Sequence, residues 1–317
     1  MSAPSESGAS GASGAPETGG RPLVTVFTAT VYPDVVRLWH ACVARAFPGD
    51  EARFEIFQDS ARRDLDPALL PGAAILHRTP ARRDFHEAYN DAVARVETPY
   101  LAFVDSDVFW ISRRLWGWVK ERLAVPEVAA VSCVSRPRRP SHGTFAVVMK
   151  VAVYREVFAR LLPRGFFPRV EPADPAVPYD RWERYDTGDL ASQAVAGAGW
   201  RVDLLNRDET GEIFRLHGIT LSRRGAEHVG TANLVRLAGG DRYYFRGCAG
   251  NLVLKRLHDR LFPDGPRYDF ALAVRPLVRA SRDNPPAEVE WRRSYWRRLR
   301  AGAERLEGFI RESPIDR

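Results

Sequence analysis

The sequence predicts an α/β protein with a mainly parallel sheet flanked by helices and a helical C-terminal extension. Two patterns indicate this fold. Short β-rich apolar runs alternate with segments of helical periodicity from residue 22 to about residue 205, and such alternation is typical of parallel sheets. The chain from Tyr243 onwards is helix-prone, which predicts the extension.

The first three predicted elements form a strand–helix–strand unit. Residues 22–30 are β-rich and predict a buried strand, and residues 35–47 carry apolar side chains at helical spacing. Residues 54–57 predict a second, short strand. Parallel strands joined by a helix require a right-handed crossover, so the carboxyl ends of both strands are expected at the same edge of the sheet.

Further strands and helices follow in the same alternation. Residues 73–76 predict a strand, residues 84–96 an amphipathic helix, and the apolar run 100–104 after Pro99 a buried strand. The other predicted elements are helices at 113–123, 154–162, 190–198 and 291–310 and strands at 128–134, 143–153 and 200–205.

Two carboxylates, Asp105 and Asp107, directly follow the strand at 100–104. Burying an ionised carboxylate beside such a strand is costly unless a cation, a partner or water meets it. Residues two apart on an extended chain face the same way, so both carboxylates are expected on one side. Paired oxygen ligands suit Mg²⁺ or Mn²⁺; the alternative is a turn closed by two loop aspartates.

Other polar residues lie at the ends of predicted strands. Thr28 is near the end of the first strand, and Asp59 follows the second. Ligands of open α/β sheets bind beyond the carboxyl ends of the strands. The convergence of these residues with Asp105 favours a phosphate-facing metal site over a simple turn.

The composition is that of a basic globular protein. The 317 residues are 45% hydrophobic and carry a net charge of +7, and only three of the 47 cationic residues are lysines. Arginine-rich surfaces suit phosphate-bearing ligands and anionic membranes, although this arginine bias also indicates a GC-rich genome. Three distant cysteines, Cys42, Cys133 and Cys248, predict reduced thiols in a cytoplasmic protein.

Three parts are expected along the chain. Residues 1–20 are rich in Ser, Gly and Ala and lack the features of a signal peptide, which predicts a disordered tail. Residues 21–222 form the α/β domain, and residues 223–317 form a helical extension packed on it. No run of about 18 apolar residues is present, so no transmembrane helix is expected.

The helix at 291–310 has two alternative interpretations. Its aromatic residues Trp291, Tyr295 and Trp296 share a stripe, and arginines crowd its first half. It is either a docking helix with a solvated face or a peripheral contact with the inner face of the membrane, through residues Trp291 to Arg300 with the aromatic rings at headgroup level.

One ordered set of motifs spans residues 22–221. In chain order it consists of Thr28-Ala-Thr-Val-Tyr32, Asp59, Arg82-Arg83, Asn90, Asp105-Ser106-Asp107, Asp186-Thr-Gly-Asp189-Leu190 and Gly199-Trp200. The set resembles the nucleotide-sugar-dependent glycosyltransferases of the GT-A fold, especially the large bacterial inverting, family-2-like group.

The resemblance implies a Rossmann-like GT-A sheet and metal-dependent transfer of a sugar from a nucleoside-diphosphate sugar to an acceptor hydroxyl, with inversion. It implies Mn²⁺ or Mg²⁺ as cofactor, with Asp107 as the first metal ligand, Asp105 on the metal or the ribose, and His217 as a third ligand. The acceptor would be a glycan, a lipid-linked molecule or a small molecule. The implied nucleotide-sugar contacts are Thr28, Tyr32, Asp59, Arg82, Asn90, Asp105 and Ser106.

The acceptor hydroxyl needs a base, because its own pKa lies far above neutrality. The family's acidic motif is usually Glu-Asp-x-Asp-Leu, and aligning its end with Asp189-Leu190 puts Thr187 where the usual base stands. Asp186 and Asp189 are therefore both candidates for the base, with Asp186 the first choice. Capping of the following helix is the alternative role for each of them.

Two other functions compete with this interpretation. A Mg²⁺-dependent nucleotidyltransferase would usually carry a glycine-rich loop after the first strand, and residues 28–34 contain no glycine. A basic, non-enzymatic nucleic-acid-binding protein would cluster its cations with aromatic residues, as only residues 291–300 do. We therefore expect no nucleic-acid partner.

Overall fold

The computed structural model describes residues 21–58, 65–76, 85–133, 135–136, 139–142, 146–161 and 189–312. Its strands are β1 (Val24–Thr30), β2 (Ala52–Gln58), β3 (Ala73–Leu76), β4 (Tyr100–Val104), β5 (Val108–Trp110), β6 (Val128–Ser132), β7 (Ser135–Arg136), β8 (Arg139–His142), β9 (Ala146–Lys150), β10 (Arg201–Leu204) and β11 (Ile213–Arg215). Its helices are α1 (Pro33–Ala46), α2 (Phe85–Arg95), α3 (Arg114–Leu123), α4 (Val151–Leu161), α5 (Asp189–Gly197), α6 (Arg207–Gly211), α7 (Ile219–Gly240), α8 (Arg242–Leu261), α9 (Val274–Arg282) and α10 (Pro286–Arg311).

Seven strands form the central sheet, in the order β10-β6-β9-β4-β1-β2-β3. Neighbouring strands run parallel except at β9, which is antiparallel to both β4 and β6. The chain builds outward from β1 to β2 and β3, then returns to place β4 on the other side of β1. The strand order therefore reverses between β1 and β4, and a crevice for ligands is expected at such a reversal.

Helices cover both faces of the sheet. On one face Val24 and Val26 of β1 pack in a core that includes Trp39 of α1 and Trp116 of α3. On the other face Phe27 packs in a second core with residues of α2, α4 and α5. The predicted α/β class with a mainly parallel sheet is confirmed.

The C-terminal extension is helical, as predicted. Phe245 of α8, Leu277 of α9 and Leu306 of α10 belong to the same buried cluster as the first face of the sheet. The predicted boundary at residues 222 and 223 falls inside α7, and the division into domains stays a prediction. No helix among the described residues has the length and apolar character that a bilayer crossing requires.

Several predicted bounds were wrong, and local packing gives the reason. The predicted strand at 143–153 ends at Lys150, and α4 begins at Val151. Val151 and Val153 resemble strand residues in sequence, but they bury beside Tyr154 and Val157 on the inner face of a helix. The helix α7 was missed because its glycines interrupt the periodic pattern; at Gly230 the backbone leaves the helix with φ of 78°.

Candidate active site at the carboxyl ends of β1 and β4

The two central strands end at the reversal of the sheet order. Val24 pairs with Tyr100 and Phe27 with Phe103, so β1 and β4 run side by side to their carboxyl ends. Asp105 is the first residue after β4. The Asp105-Ser106-Asp107 segment therefore lies where the topology alone predicts a ligand.

A turn brings the two aspartates together. The N–H of Val108 donates to the carbonyl oxygen of Asp105 at 2.9 Å, which closes a four-residue turn from Asp105 to Val108. The expectation that an extended chain aligns the two carboxylates was wrong, because residues Ser106 and Asp107 are in the turn. The turn that was the alternative to a metal site is therefore present, and the metal site at the same residues stays a prediction.

A two-stranded ribbon holds Asp107 from the other side. Strand β5 pairs with β11 in antiparallel register, with Val108 opposite Arg215. The N–H of Leu216 donates to the carbonyl oxygen of Asp107 at 3.0 Å. This ribbon brings Arg215, and His217 two residues later, to the segment that carries the aspartates.

The carboxyl group of Asp107 is in an unfavourable place for a negative charge. Burial raises the pKa of Asp107 to about 7, and the charge of Asp105 adds to the rise, while Arg215 opposes it. Each of the two carboxylates disfavours the ionisation of the other. A bound divalent cation relieves this repulsion between their negative charges. The residues present therefore fit a hard metal ion such as Mn²⁺ or Mg²⁺.

Tyr89 on α2 fixes the orientation of Asp105. Its hydroxyl donates to Asp105 Oδ1 at 2.8 Å. The Tyr89 ring packs against Phe103, with ring centroids 4.4 Å apart, and against Phe27 at 5.8 Å. Because this cluster is buried between the sheet and α2, the hydroxyl is held in place.

Basic and aromatic groups border Asp107 on the side of the C-terminal helices. Burial, and then the charges of Arg215 and Arg246, lower the pKa of His217 to about 4, so its imidazole is neutral at pH 7. Burial raises the pKa of Tyr295 to about 12, and the charge of Asp107 contributes to that rise. The positive charges of Arg215 and Arg246 therefore act on His217, which follows the strand that pairs with β5.

His217 stays a predicted metal ligand. A neutral imidazole can offer a lone pair to a metal. Among the residues that the structure describes, however, no group of three His, Cys, Asp or Glu side chains is arranged to hold a metal ion. Asp105 and Asp107 are therefore the pair on which the metal prediction depends.

The other residues predicted to contact the nucleotide sugar differ in their burial and surroundings. Thr28 is fully buried in β1, and its Oγ1 has no hydrogen-bond partner among the described residues. Tyr32 precedes α1, where its ring stacks under the guanidinium of Arg223 with 4.0 Å from Cζ to the centroid. Asn90 is half-buried on α2, and Ser106 is half-buried in the turn. Their roles in binding a nucleotide sugar stay predictions.

Several predicted site residues lie outside the described part of the chain. Asp59 and Arg82 are among them, and so is Asp186, the first choice for the base. Asp189 begins α5, but its side chain lies outside the described atoms. The structure therefore leaves both candidates for the base as predictions.

Sequence reasoning missed Tyr89 and Arg215 as site residues. Tyr89 looked like one apolar position of an amphipathic helix, because periodicity does not show where a hydroxyl points. Arg215 reaches Asp107 only through the pairing of β5 with β11, which are about a hundred residues apart in the chain.

No protein-family model matches the chain, and no curated protein matches its sequence. Solved structures with a similar backbone include the mannosyltransferase PcManGT from Pyrobaculum calidifontis, in complex with GDP-Man and Mn²⁺. It is 17% identical, with a TM-score of 0.45 over 93% of this chain and 87% of that chain. Residues 1–349 of S. aureus TarS are 10% identical, with a TM-score of 0.44 over 90% of each chain.

A third similar structure is glucosyl-3-phosphoglycerate synthase from Mycobacterium tuberculosis, in complex with Mn²⁺ and UDP-glucose. It is 15% identical, with a TM-score of 0.33 over 43% of this chain and 58% of that chain. Sequence identities and TM-scores as low as these do not establish a function for this chain. The function is therefore inferred below from its own side chains.

Proposed function

We propose that the protein is a metal-dependent glycosyltransferase that moves a sugar from a nucleoside-diphosphate sugar to an acceptor hydroxyl, with inversion. The observation that carries this proposal is the pair Asp105 and Asp107 at the sheet reversal. Asp107 has a pKa near 7 because of burial and the charge of Asp105. A carboxylate pair at the carboxyl edge of a nucleotide-binding sheet topology is suited to a metal–diphosphate complex.

Asp107 and Asp105 would hold Mn²⁺ or Mg²⁺, with His217 as a further candidate ligand. When bound, the ion would stabilise the negative charge that develops on the departing diphosphate. The guanidinium groups of Arg215 and Arg246 add positive charge on the same side. Tyr89 keeps Asp105 oriented through its hydroxyl.

Asp186 or Asp189 would act on the acceptor. Either carboxylate could accept the proton of the attacking hydroxyl, which raises its nucleophilicity as the bond to the sugar forms. The position of Asp189 at the start of α5 also suits its alternative role, since helix N-termini favour negative charge.

A thermal-shift panel tests the proposed function. UDP-, GDP- and dTDP-sugars are each added with and without Mn²⁺, and the unfolding temperature is measured. We expect one of them to raise it only when Mn²⁺ is present, because a ligand that binds the native state alone stabilises it. Absence of any metal-dependent stabilisation would contradict the proposal. Stabilisation by a nucleoside triphosphate alone would favour a nucleotidyltransferase.

Removing the Tyr89 hydroxyl should weaken metal binding without unfolding the site. Tyr89→Phe keeps the ring in contact with Phe27 and Phe103 but removes the hydrogen bond that Tyr89 donates to Asp105. We expect Mn²⁺ affinity, measured by titration calorimetry, to fall about 10- to 100-fold. Tyr100→Phe, at the opposite end of β4, is the matched control and should bind Mn²⁺ as the wild type does.

The pH dependence of metal binding follows from the pKa of Asp107. Below about pH 7 the ion must displace a proton, so Mn²⁺ affinity should fall about tenfold per pH unit and level off above pH 7. The metal-free protein should show the opposite trend. The folded-state pKa of Asp107 is raised, so its contribution to the free energy of unfolding decreases between pH 4 and pH 7. An affinity that is flat from pH 5.5 to pH 8 would contradict this account.

Substitution of the base should separate donor binding from transfer. Asp186→Asn and Asp189→Asn are each expected to leave Mn²⁺-dependent donor binding intact. One of them, Asp186→Asn by preference, should lower the transfer rate about 10²- to 10⁴-fold. Asp208→Asn, a first-turn acid of α6, controls for the loss of a helix-terminal charge. Near wild-type transfer by both variants would show that neither residue is the base.

A further inference from the structure

Two rows of arginines face outward on neighbouring helices of the C-terminal extension. Helix α9 carries Arg275, Arg279 and Arg282, and α10 carries Arg293, Arg297 and Arg300; all six are exposed. Both rows have the spacing i, i+4, i+7, which places each row on one helix face. Each row is about 10 Å long, at 1.5 Å per residue.

A groove of about 550 Å³ lies along the row on α10 and reaches Val274 and Val278 of α9. Arg293, Arg297 and Arg300 line it together with Val274, Val278, Trp296 and Glu290. A smaller adjoining cavity of about 130 Å³ shares three of these residues and adds Arg282. We name the six arginines and this groove the arginine groove.

The positive charge of the arginine groove is largely uncompensated. Glu290 is the one acid that lines it, and it meets Arg297 at 2.9 Å and Arg293 at 4.0 Å. Both arginines remain about 70% exposed in spite of these contacts. The other four arginines have no carboxylate partner within ion-pair distance in the described part of the chain.

Of the three aromatic side chains in the stripe of α10, Trp296 lines the groove, and Trp291 and Tyr295 are not among its lining residues. Trp291, Tyr295 and Trp296 all pack around Phe245 of α8, with ring centroids 6.0, 6.2 and 6.3 Å away. This packing supports the docking-helix alternative, and the contact of these rings with a membrane stays a prediction. The helix docks through its aromatic stripe and leaves the arginines in water.

We infer that the arginine groove binds the surface of a bilayer that contains anionic phospholipids, by charge and without insertion of a helix. Exposed cations on two neighbouring helices complement a layer of phosphate headgroups. A single-stranded nucleic acid would instead require several rings along the groove for base stacking, and here Trp296 lines it without Trp291 or Tyr295. Val274 and Val278 give the groove floor an apolar character that suits lipid better than nucleic acid.

Vesicle co-sedimentation of the full chain tests this inference. At about 50 mM salt, the wild type should bind vesicles of equal parts phosphatidylglycerol and phosphatidylcholine, and not phosphatidylcholine alone. Each arginine near an anionic surface contributes about fivefold to partitioning. We therefore expect the partition coefficient onto anionic vesicles to fall about a hundredfold in each of two triple variants, R275Q/R279Q/R282Q and R293Q/R297Q/R300Q.

The matched control is R114Q/R207Q/R267Q, which removes three exposed arginines from elsewhere on the protein and should partition as the wild type does. Three results would overturn the inference. These are no binding of the wild type to the anionic vesicles, an equal loss in the control, or retention of wild-type partitioning by either groove variant. Groove-dependent binding of a 20-nucleotide RNA without vesicle binding would also overturn it, in favour of nucleic acid.

Discussion

The substitution Asp107→Asn is expected to lower the rate of sugar transfer about a thousandfold and to abolish the stabilisation that Mn²⁺ and donor produce together. The amide is nearly isosteric but carries no charge, so the ion loses its first ligand. Asp50→Asn is the matched control, because Asp50 is exposed and precedes β2 at the opposite edge of the sheet.

The same variant should be more stable than the wild type when metal is absent. Asp107 must ionise against burial and the charge of Asp105, and the amide removes that unfavourable ionisation at pH 8. We expect urea unfolding at pH 8 to show a higher midpoint for Asp107→Asn and little difference at pH 4. Lower activity with lower metal-free stability would indicate damage to the fold instead.

Arg223→Met should produce the largest loss of stability. Arg223 on α7 makes two hydrogen bonds to the carboxylate of Asp34 on α1, at 2.6 and 2.8 Å, and both side chains are at least nine-tenths buried. It also donates to the carbonyl oxygen of Asp269 at 2.6 Å and lies under the ring of Tyr32. Truncation leaves a buried carboxylate without its counter-charge, which costs about 3–5 kcal/mol of unfolding free energy.

Arg224→Met is the matched control for this prediction. Arg224 is the next residue in α7, is more exposed, and makes no ion pair among the described residues. Urea unfolding of the two variants at pH 7.5 measures the difference. Equal stabilities would show that the Asp34–Arg223 pair does not join α1 to the C-terminal extension. The substitution Arg223→Met also removes the contact between the Arg223 guanidinium and the ring of Tyr32, just before α1.

The α/β fold could be predicted because most buried strands and helices have a recognisable pattern of apolar residues in the sequence. The run Tyr100–Val104 is apolar because both of its faces are covered, and α1 shows helical spacing because one face is covered. Helix α7 has no such pattern of apolar residues, because its glycines and its exposed middle interrupt the helical spacing. Val151 was assigned to a strand because a β-branched residue suits either element until its neighbours are known.

The candidate site was predictable only in part, for a similar reason. Asp105 and Asp107 stand out because charge at the end of a buried strand requires compensation. The bond from Tyr89 to Asp105 and the approach of Arg215 to Asp107 arise from tertiary packing, which spacing along the chain does not encode. The aromatic stripe of α10 likewise indicates a covered face, and only the structure shows that Phe245 covers it.

Mn²⁺ binding to the wild type and to Asp107→Asn, measured by titration calorimetry at pH 7.5 in the presence of UDP or GDP, tests the central claim most directly. The account predicts one Mn²⁺ per wild-type chain, tightened by one of the nucleotides, and no such binding in the variant. Unchanged Mn²⁺ binding in Asp107→Asn, or nucleotide binding that does not depend on the metal in the wild type, would contradict it.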